Sequence, residues 1–379
     1  MSTLVHSVRL FGSATVDSDA PDAWALFDAG RVAAVGVGEG RPPADDTVDG
    51  GGGCLAPGFI DIHGHGGAGA SFDDGPEAVR TARAVHRAHG TTRAVLSLIT
   101  ASIDDLARRV AMVADLTEAD PTILGSHLEG PFLDPGHKGA HTESLLRTPD
   151  EETVSRLLEA GRGTIRQVTL APERPGAFDA IRRLTEAGVA VAVGHTDADA
   201  ATARRAFDAG ATIITHAFNA MPGILHRAPG PVVAALRDER VTLEVIADGV
   251  HVDLDLVATL FAAAGGRIAL ITDAMAAAGA ADGAYELGGL AVRVTDGVAR
   301  LVEGGSIAGS TLTQDAAVRH IVGAGVPLAD ALRAAGEIPA LAIGRPDLGR
   351  LDVGSVADAL LLDAELAVQR VWIDGTAVR

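Results

Sequence analysis

From Pro57 onward the chain alternates short apolar runs with Ala/Arg/Glu-rich stretches of helical period, each run ending in a polar or Gly-rich corner. Eight runs stand out: Phe59 to Ile62, Thr92 to Ile99, Ile123 to Leu128, Ile165 to Leu170, Val189 to Val193, Thr212 to Thr215, Leu243 to Ile246 and Ile268 to Thr272. Apolar runs separated by helices predict parallel strands, and eight such units predict a (β/α)8 barrel spanning residues 55–348. Residues 1–54 carry β-type runs (Leu4 to Leu10, Trp24 to Phe27, Arg31 to Val37) punctuated by Gly, Pro and Asp. The tail 349–379 is β-patterned again and is predicted to rejoin the N-terminal unit as one small β domain. A β-hairpin insertion is predicted near 285–302, and helical stretches follow to about Ile343.

The 379 residues suffice for a large barrel with a satellite domain, which excludes peptide hormones, disulfide knots and simple binding modules. A net charge of −19 repels polyanions and argues against nucleic acid or an anionic membrane as partner. Any anionic substrate then needs a local basic pocket. The one cysteine, Cys54, forms no intramolecular disulfide and fits a reducing compartment. The N-terminus lacks the charged and apolar regions of a signal peptide, and no uncharged apolar run approaches the ~18 residues of a membrane span. The chain reads as soluble and cytoplasmic.

Candidate chemistry lies at the predicted strand ends, where a barrel gathers side chains on one face. The first run ends in Asp61-Ile62-His63-Gly64-His65, and a period of two sends both histidines to one side. The third ends at Glu129, the fifth leads to His195, the sixth to His216 and the eighth to Asp273. Two imidazoles and a carboxylate suit Zn²⁺ or Fe²⁺ and leave a coordination position open, the pattern of a catalytic site. An aspartate beside them can move a proton between water and a leaving group. Glu129 is also able to bridge a second ion if His63 and His65 complete its site. His86 and His89, at helical spacing with Arg83 and Arg87, read as a solvated helix face; His6 and His320 belong to no constellation. Gly64 to Gly69 matches a dinucleotide fingerprint only formally, without the following helix and ribose-binding acid. Lys138 is the only lysine, so no fourth-strand lysine is available to bridge two metals as a carbamate.

In order along the chain, APGFIDIHGHG, SHLEGPF, KGAH, GHT, THAFNAM, HRAPG, ADGVH, ITDA and IAGS resemble the N-acetylglucosamine-6-phosphate deacetylases of the amidohydrolase superfamily. The resemblance implies a TIM-like barrel of the metal-dependent amidohydrolase type with a small β-sandwich domain built from both chain ends. It implies Glu129, His195 and His216 as ligands of a divalent metal, Zn²⁺ foremost with Fe²⁺ or Mn²⁺ as alternatives, and Asp273 as general base and then acid. His141 of KGAH would orient and polarise the acetyl carbonyl. Asn219, Ala220, Arg227 and His251 would clamp a phosphorylated N-acetyl amino sugar, with Ile307, Ala308 and Gly309 closing over it. An arginine fork suits phosphate and would make the pocket basic in an acidic protein. Arg227 would act in its own subunit or across a homodimer. Some family members carry Gln and Asn where this chain has His63 and His65, so one or two ions per subunit are implied. His137 and Thr142 replace a common lysine and asparagine. The expected reaction releases glucosamine 6-phosphate and acetate. The galacto epimer, or another amide, is the alternative substrate. A barrel acting only as a scaffold is disfavoured by the presence of Asp273 with every ligand type.

Overall fold

The computed structural model describes residues 1–379. All eight predicted runs form the strands of one parallel sheet in consecutive order: Phe59–Asp61, Thr91–Ile99, Ile123–Glu129, Ile165–Leu170, Ala190–Val193, Ile213–Ile214, Thr242–Ile246 and Ile268–Ile271. The eighth and first strands share no ladder. They are joined instead at their ends, where Asp273 N–H donates to His63 O at 2.8 Å and Thr272 Oγ1 donates to the Asp61 carboxylate at 2.6 Å. The sheet is thus a barrel whose last seam is closed by the residues that precede and carry the candidate chemistry.

The connecting helices cover the barrel with apolar stripes. Ala177–Glu186 buries Ala177, Ala180, Ile181 and Leu184, the i, i+3, i+4, i+7 face of an amphipathic helix. Several helices begin at a side-chain cap, as where Ser102 accepts from Asp105 N–H at 3.1 Å and Asp150 from Thr153 N–H at 2.8 Å.

The same periodicity corrects the reading of the first helix, Pro76–Ala88. Its buried face comprises Val79, Ala82, Arg83 and His86, so Arg83 and His86 are not solvated. Arg83 Nη2 donates to Thr92 O at 2.9 Å, and His86 Nε2 donates to Gly66 O at 2.8 Å. Backbone carbonyls at the strand ends supply the acceptors that make burial of these side chains tolerable. His89, past the helix end, is half-buried and faces Asp315 at 3.1 Å.

Strands from both chain ends share one further sheet, in which Ala359–Leu362 runs antiparallel to Cys54–Pro57 and Thr3–Leu10 pairs with both Ala23–Asp28 and Asp46–Asp49. They also share one apolar core, with Phe27 and Trp372 packed edge-on at 6.0 Å between ring centres. This sheet is fastened to the barrel by Arg93 of the second barrel strand. Its Nε donates to Asp358 Oδ2 at 2.6 Å and its Nη2 to Asp374 Oδ1 at 2.7 Å.

The insertion after the eighth strand has three antiparallel strands, Gly283–Leu287, Leu290–Thr295 and Val298–Leu301, where a single hairpin was expected. Two tight turns account for the third strand. Gly288-Gly289 and Asp296-Gly297 all adopt positive φ, the geometry of a two-residue hairpin turn.

Candidate active site

The strand-end residues converge around Glu129. Glu129 Oε1 lies 3.1 Å from both His195 Nε2 and His216 Nε2 and 3.3 Å from His63 Nε2. Glu129 Oε2 lies 3.1 Å from His65 Nε2 and 3.5 Å from His141 Nε2. Asp273 Oδ1 completes the cluster at 3.4 Å from His65 Nε2 and 3.6 Å from His63 Nε2. Every one of these side chains is buried at the C-terminal mouth of the barrel.

Local backbone geometry aims them. His195, His216 and Asp273 each stand two residues past the end of their strands with φ of 47°, 27° and 48°, the left-handed region that non-glycine residues seldom occupy. Such turns carry strain, and strain gathered at one spot marks a site whose surroundings overdetermine it. Hydrogen bonds hold the distal ring nitrogens: His195 Nδ1 donates to His137 O at 2.8 Å, and His141 Nδ1 lies 2.8 Å from Thr100 Oγ1.

The donor set fits a divalent cation. His63, His65, Glu129 and Asp273 each offer a ligand atom within 4.8 Å of the others, as do Glu129, His141 and His195. His63 Nε2 is buried without a hydrogen-bond partner among these carboxylates. The electrostatics point the same way. Burial disfavours a charged ring at His63, yet the Glu129 and Asp273 carboxylates outweigh it and hold its pKa well above the ordinary value. At His65 burial is outweighed by Asp273 and Glu129, and the pKa stands at about 9. Burial opposes ionisation of Glu129 and Asp273 as well, but the facing histidines, His63 foremost, pull both below the usual carboxylate range. A cluster with these preferences attracts positive charge, whether protons or a metal.

Above the cluster opens a cleft of about 430 Å³. Its walls include Asn219, Ala220, His251, Ile307 and Gly309, together with His137 from the loop after the third strand and Leu287 from the three-stranded insertion. His251 is steadied by Asp248, whose Oδ2 lies 2.7 Å from His251 Nδ1; His251 holds Asp248 below the usual carboxylate range in spite of burial. Ala308 is buried behind the wall and does not line the cleft. Arg227 is not brought to it either: it lies exposed on the loop beyond the sixth strand, beside exposed Ile224 and Leu225. No arginine or lysine lines the cleft, so within one chain the expected basic pocket is not formed by Arg227.

Residues 54–378 match the family model described as the amidohydrolase family. The chain belongs to the amidohydrolase family. Among curated relatives, this amidohydrolase is 42% identical over 332 residues to an N-acetylgalactosamine-6-phosphate deacetylase of Escherichia coli O157:H7, covering 85% of this chain and 86% of the relative. It is 36% identical over 330 residues to an N-acetylglucosamine-6-phosphate deacetylase of Vibrio furnissii, covering 86% and 82%. Among solved structures, a variant of the N-acetyl-D-glucosamine-6-phosphate deacetylase of Mycobacterium smegmatis, in complex with N-acetyl-D-glucosamine-6-phosphate, superposes with a TM-score of 0.93. That pair shares 43% sequence identity over 100% of this chain and 99% of the other.

Two residues of the amidohydrolase site escaped the motif reading. Glu244 underlies His63 from the seventh strand, and Thr100 abuts His141 from the end of the second. The signal for Glu244 was present as one charged residue in the middle of the apolar run Thr242–Ile246, a position that demands buried partners. Thr100 offered no comparable signal.

Proposed function

We propose that this chain hydrolyses N-acetyl-D-glucosamine 6-phosphate to D-glucosamine 6-phosphate and acetate. The observation that carries this reading is the convergence of Glu129, His195, His216 and Asp273 on the floor of a sugar-sized cleft, in a chain closely similar to deacetylases of this type.

Glu129, His195 and His216 would hold one divalent ion, Zn²⁺ by their ligand chemistry, and His63 and His65 with the shared Glu129 carboxylate a second. When bound, such an ion supplies Lewis acidity toward the amide carbonyl and acidifies water. Asp273 takes the proton of the attacking water on its carboxylate and returns it to the amide nitrogen, so that the C–N bond breaks to free amine and acetate. His141 orients the acetyl group. Thr100 Oγ1, which donates to the Glu129 carbonyl at 3.2 Å, lies 2.8 Å from His141 Nδ1 and holds the ring facing the reacting carbonyl. Asn219, Ala220 and His251 position the sugar, and Ile307 to Gly309 close over it.

The small domain formed by 1–54 and 349–379, read as a β-sandwich, is structural, and 55–348 is the catalytic barrel. Because Arg227 stands outside its own cleft, the reading includes a homodimer in which Arg227 meets the substrate phosphate in the partner's pocket. No helix is long and apolar enough to cross a membrane, which is compatible with the cytoplasmic assignment.

The test is acetate release by the purified, metal-analysed protein from N-acetylglucosamine 6-phosphate, N-acetylgalactosamine 6-phosphate and unphosphorylated N-acetylglucosamine. Turnover highest on the first substrate is expected. Preference for the second would favour the galacto reading that the 42% identical relative raises. No acetate from any of them by metal-replete protein would sink the assignment.

A further inference from the structure

Glu244 stands in the middle of the seventh barrel strand, and its side chain is fully shielded from solvent. Its polar contacts reach the fourth strand and the residues just beyond the first and sixth strands. Oε2 accepts from His63 Nδ1 at 3.1 Å and lies 3.4 Å from the backbone N–H of His216, and Oε1 accepts from Gln167 Nε2 at 2.7 Å. No arginine or lysine pairs with it. A carboxylate this deep is costly unless its neighbours compensate.

The consequence falls on His63. A histidine that ligates a cation through Nε2 keeps its proton on Nδ1, and Glu244 Oε2 is placed to accept from it. Nε2 faces Glu129 Oε1 at 3.3 Å and Asp273 Oδ1 at 3.6 Å, and it has no hydrogen-bond partner. One imidazole nitrogen and two carboxylate oxygens converging in this way form part of a donor set for a cation. The other histidines of the cluster differ: His195 leans on a backbone carbonyl, and the Nδ1 atoms of His65 and His216 have no partner. Only the His63 ring is backed by a carboxylate.

We infer that Glu244 is a positioning residue for a divalent cation at His63, fixing that ring's tautomer and orientation and supplying the negative charge behind it. The inference rests on the metal-site reading above. It makes the His63 position a deliberate ligand site, with Glu244 as the part that distinguishes it from the His195–His216 position.

Apo-protein titrated with Zn²⁺ alone, by calorimetry, and with Co²⁺, by visible absorption, tests it. Glu244→Gln should weaken one Zn²⁺ equivalent about 10–100-fold, the usual effect of losing an outer partner of a ligating histidine, and leave the other equivalent unchanged. In a His63→Ala background the same substitution should change nothing further. That non-additivity separates action through His63 from general damage to the fold. Glu244→Asp, which withdraws the carboxylate from Nδ1 but keeps its charge, should weaken the same equivalent and serves if the glutamine variant does not fold. Unchanged Zn²⁺ affinity in a folded Glu244 variant, or equal losses with and without His63, would overturn the inference. Wild type that takes up no Zn²⁺ would instead remove the metal reading, and this inference with it.

Discussion

Asp273 Oδ1 lies 3.4 Å from Nε2 of His65, joining the turn after the last barrel strand to the histidine pair after the first. The contact exists because the barrel closes at that seam, and it places the proposed proton carrier against the metal cluster. Asp273→Asn keeps the shape but not the basicity. Turnover should fall by about 10²–10⁴ while the protein stays folded and retains the ion at Glu129, His195 and His216. Steady-state rates beside elemental metal analysis check this, and near-normal turnover in a metal-loaded variant would remove Asp273 from the chemistry.

Arg227 lies outside the cleft of its own chain. If it serves a partner's pocket, Arg227→Ala should lower kcat/KM on the 6-phosphate tens- to thousands-fold, the ~2–5 kcal/mol commonly lost with one partner of a desolvated charge pair. The unphosphorylated sugar should be hardly affected. Mixed Asp273→Asn and Arg227→Ala subunits should recover activity, since a hybrid dimer holds one intact site. Equal losses on both substrates would exclude the phosphate role, and absent recovery in proven hybrids would place Arg227 in its own subunit's site.

His86 is buried, and burial drives its pKa from 6.5 down to about 4, only partly opposed by its bond to the Gly66 carbonyl. Between those two values the unfolded chain binds a proton there that the folded chain refuses. Stability at this residue is therefore fully present above the higher pKa and lost as pH falls toward the lower one, on the order of 3 kcal/mol in total. Denaturant unfolding at neutral pH and near pH ~4.5 should show wild type losing more stability on acidification than His86→Gln. Parallel losses in the two proteins would mean that His86 does not carry this dependence.

Arg93 and Asp358 are both buried and bound bidentately, at 2.6 and 3.2 Å. Arg93→Ala leaves the Asp358 carboxylate buried without its cation and should cost ~3–5 kcal/mol in unfolding free energy. The Arg93→Ala/Asp358→Ala double variant should lose less than the sum of the single losses, because residues in one network are not additive. Additive losses would show that the pair does not couple the end sheet to the barrel.

The order of apolar runs and the ligand-type residues after them were decided locally. Strand and helix periods are short-range properties, and a barrel carries strand-end residues to one face whatever the helices contain. Eight parallel strands and the identities of Glu129, His195, His216 and Asp273 were therefore legible along the chain. What the tertiary structure decided depends on which atoms meet across closure. Glu244 gains its meaning only when the seventh strand lies beneath His63, and Thr100 only when a loop returns His141 to the second strand. Arg83 and His86 look solvated until strand-end carbonyls are set opposite them, and Arg227 looks like a lining residue until its loop is seen to leave the cleft. Periodicity reports which face of an element is apolar. The partner that satisfies a buried polar group comes from a distant part of the chain, and only the packed structure selects it.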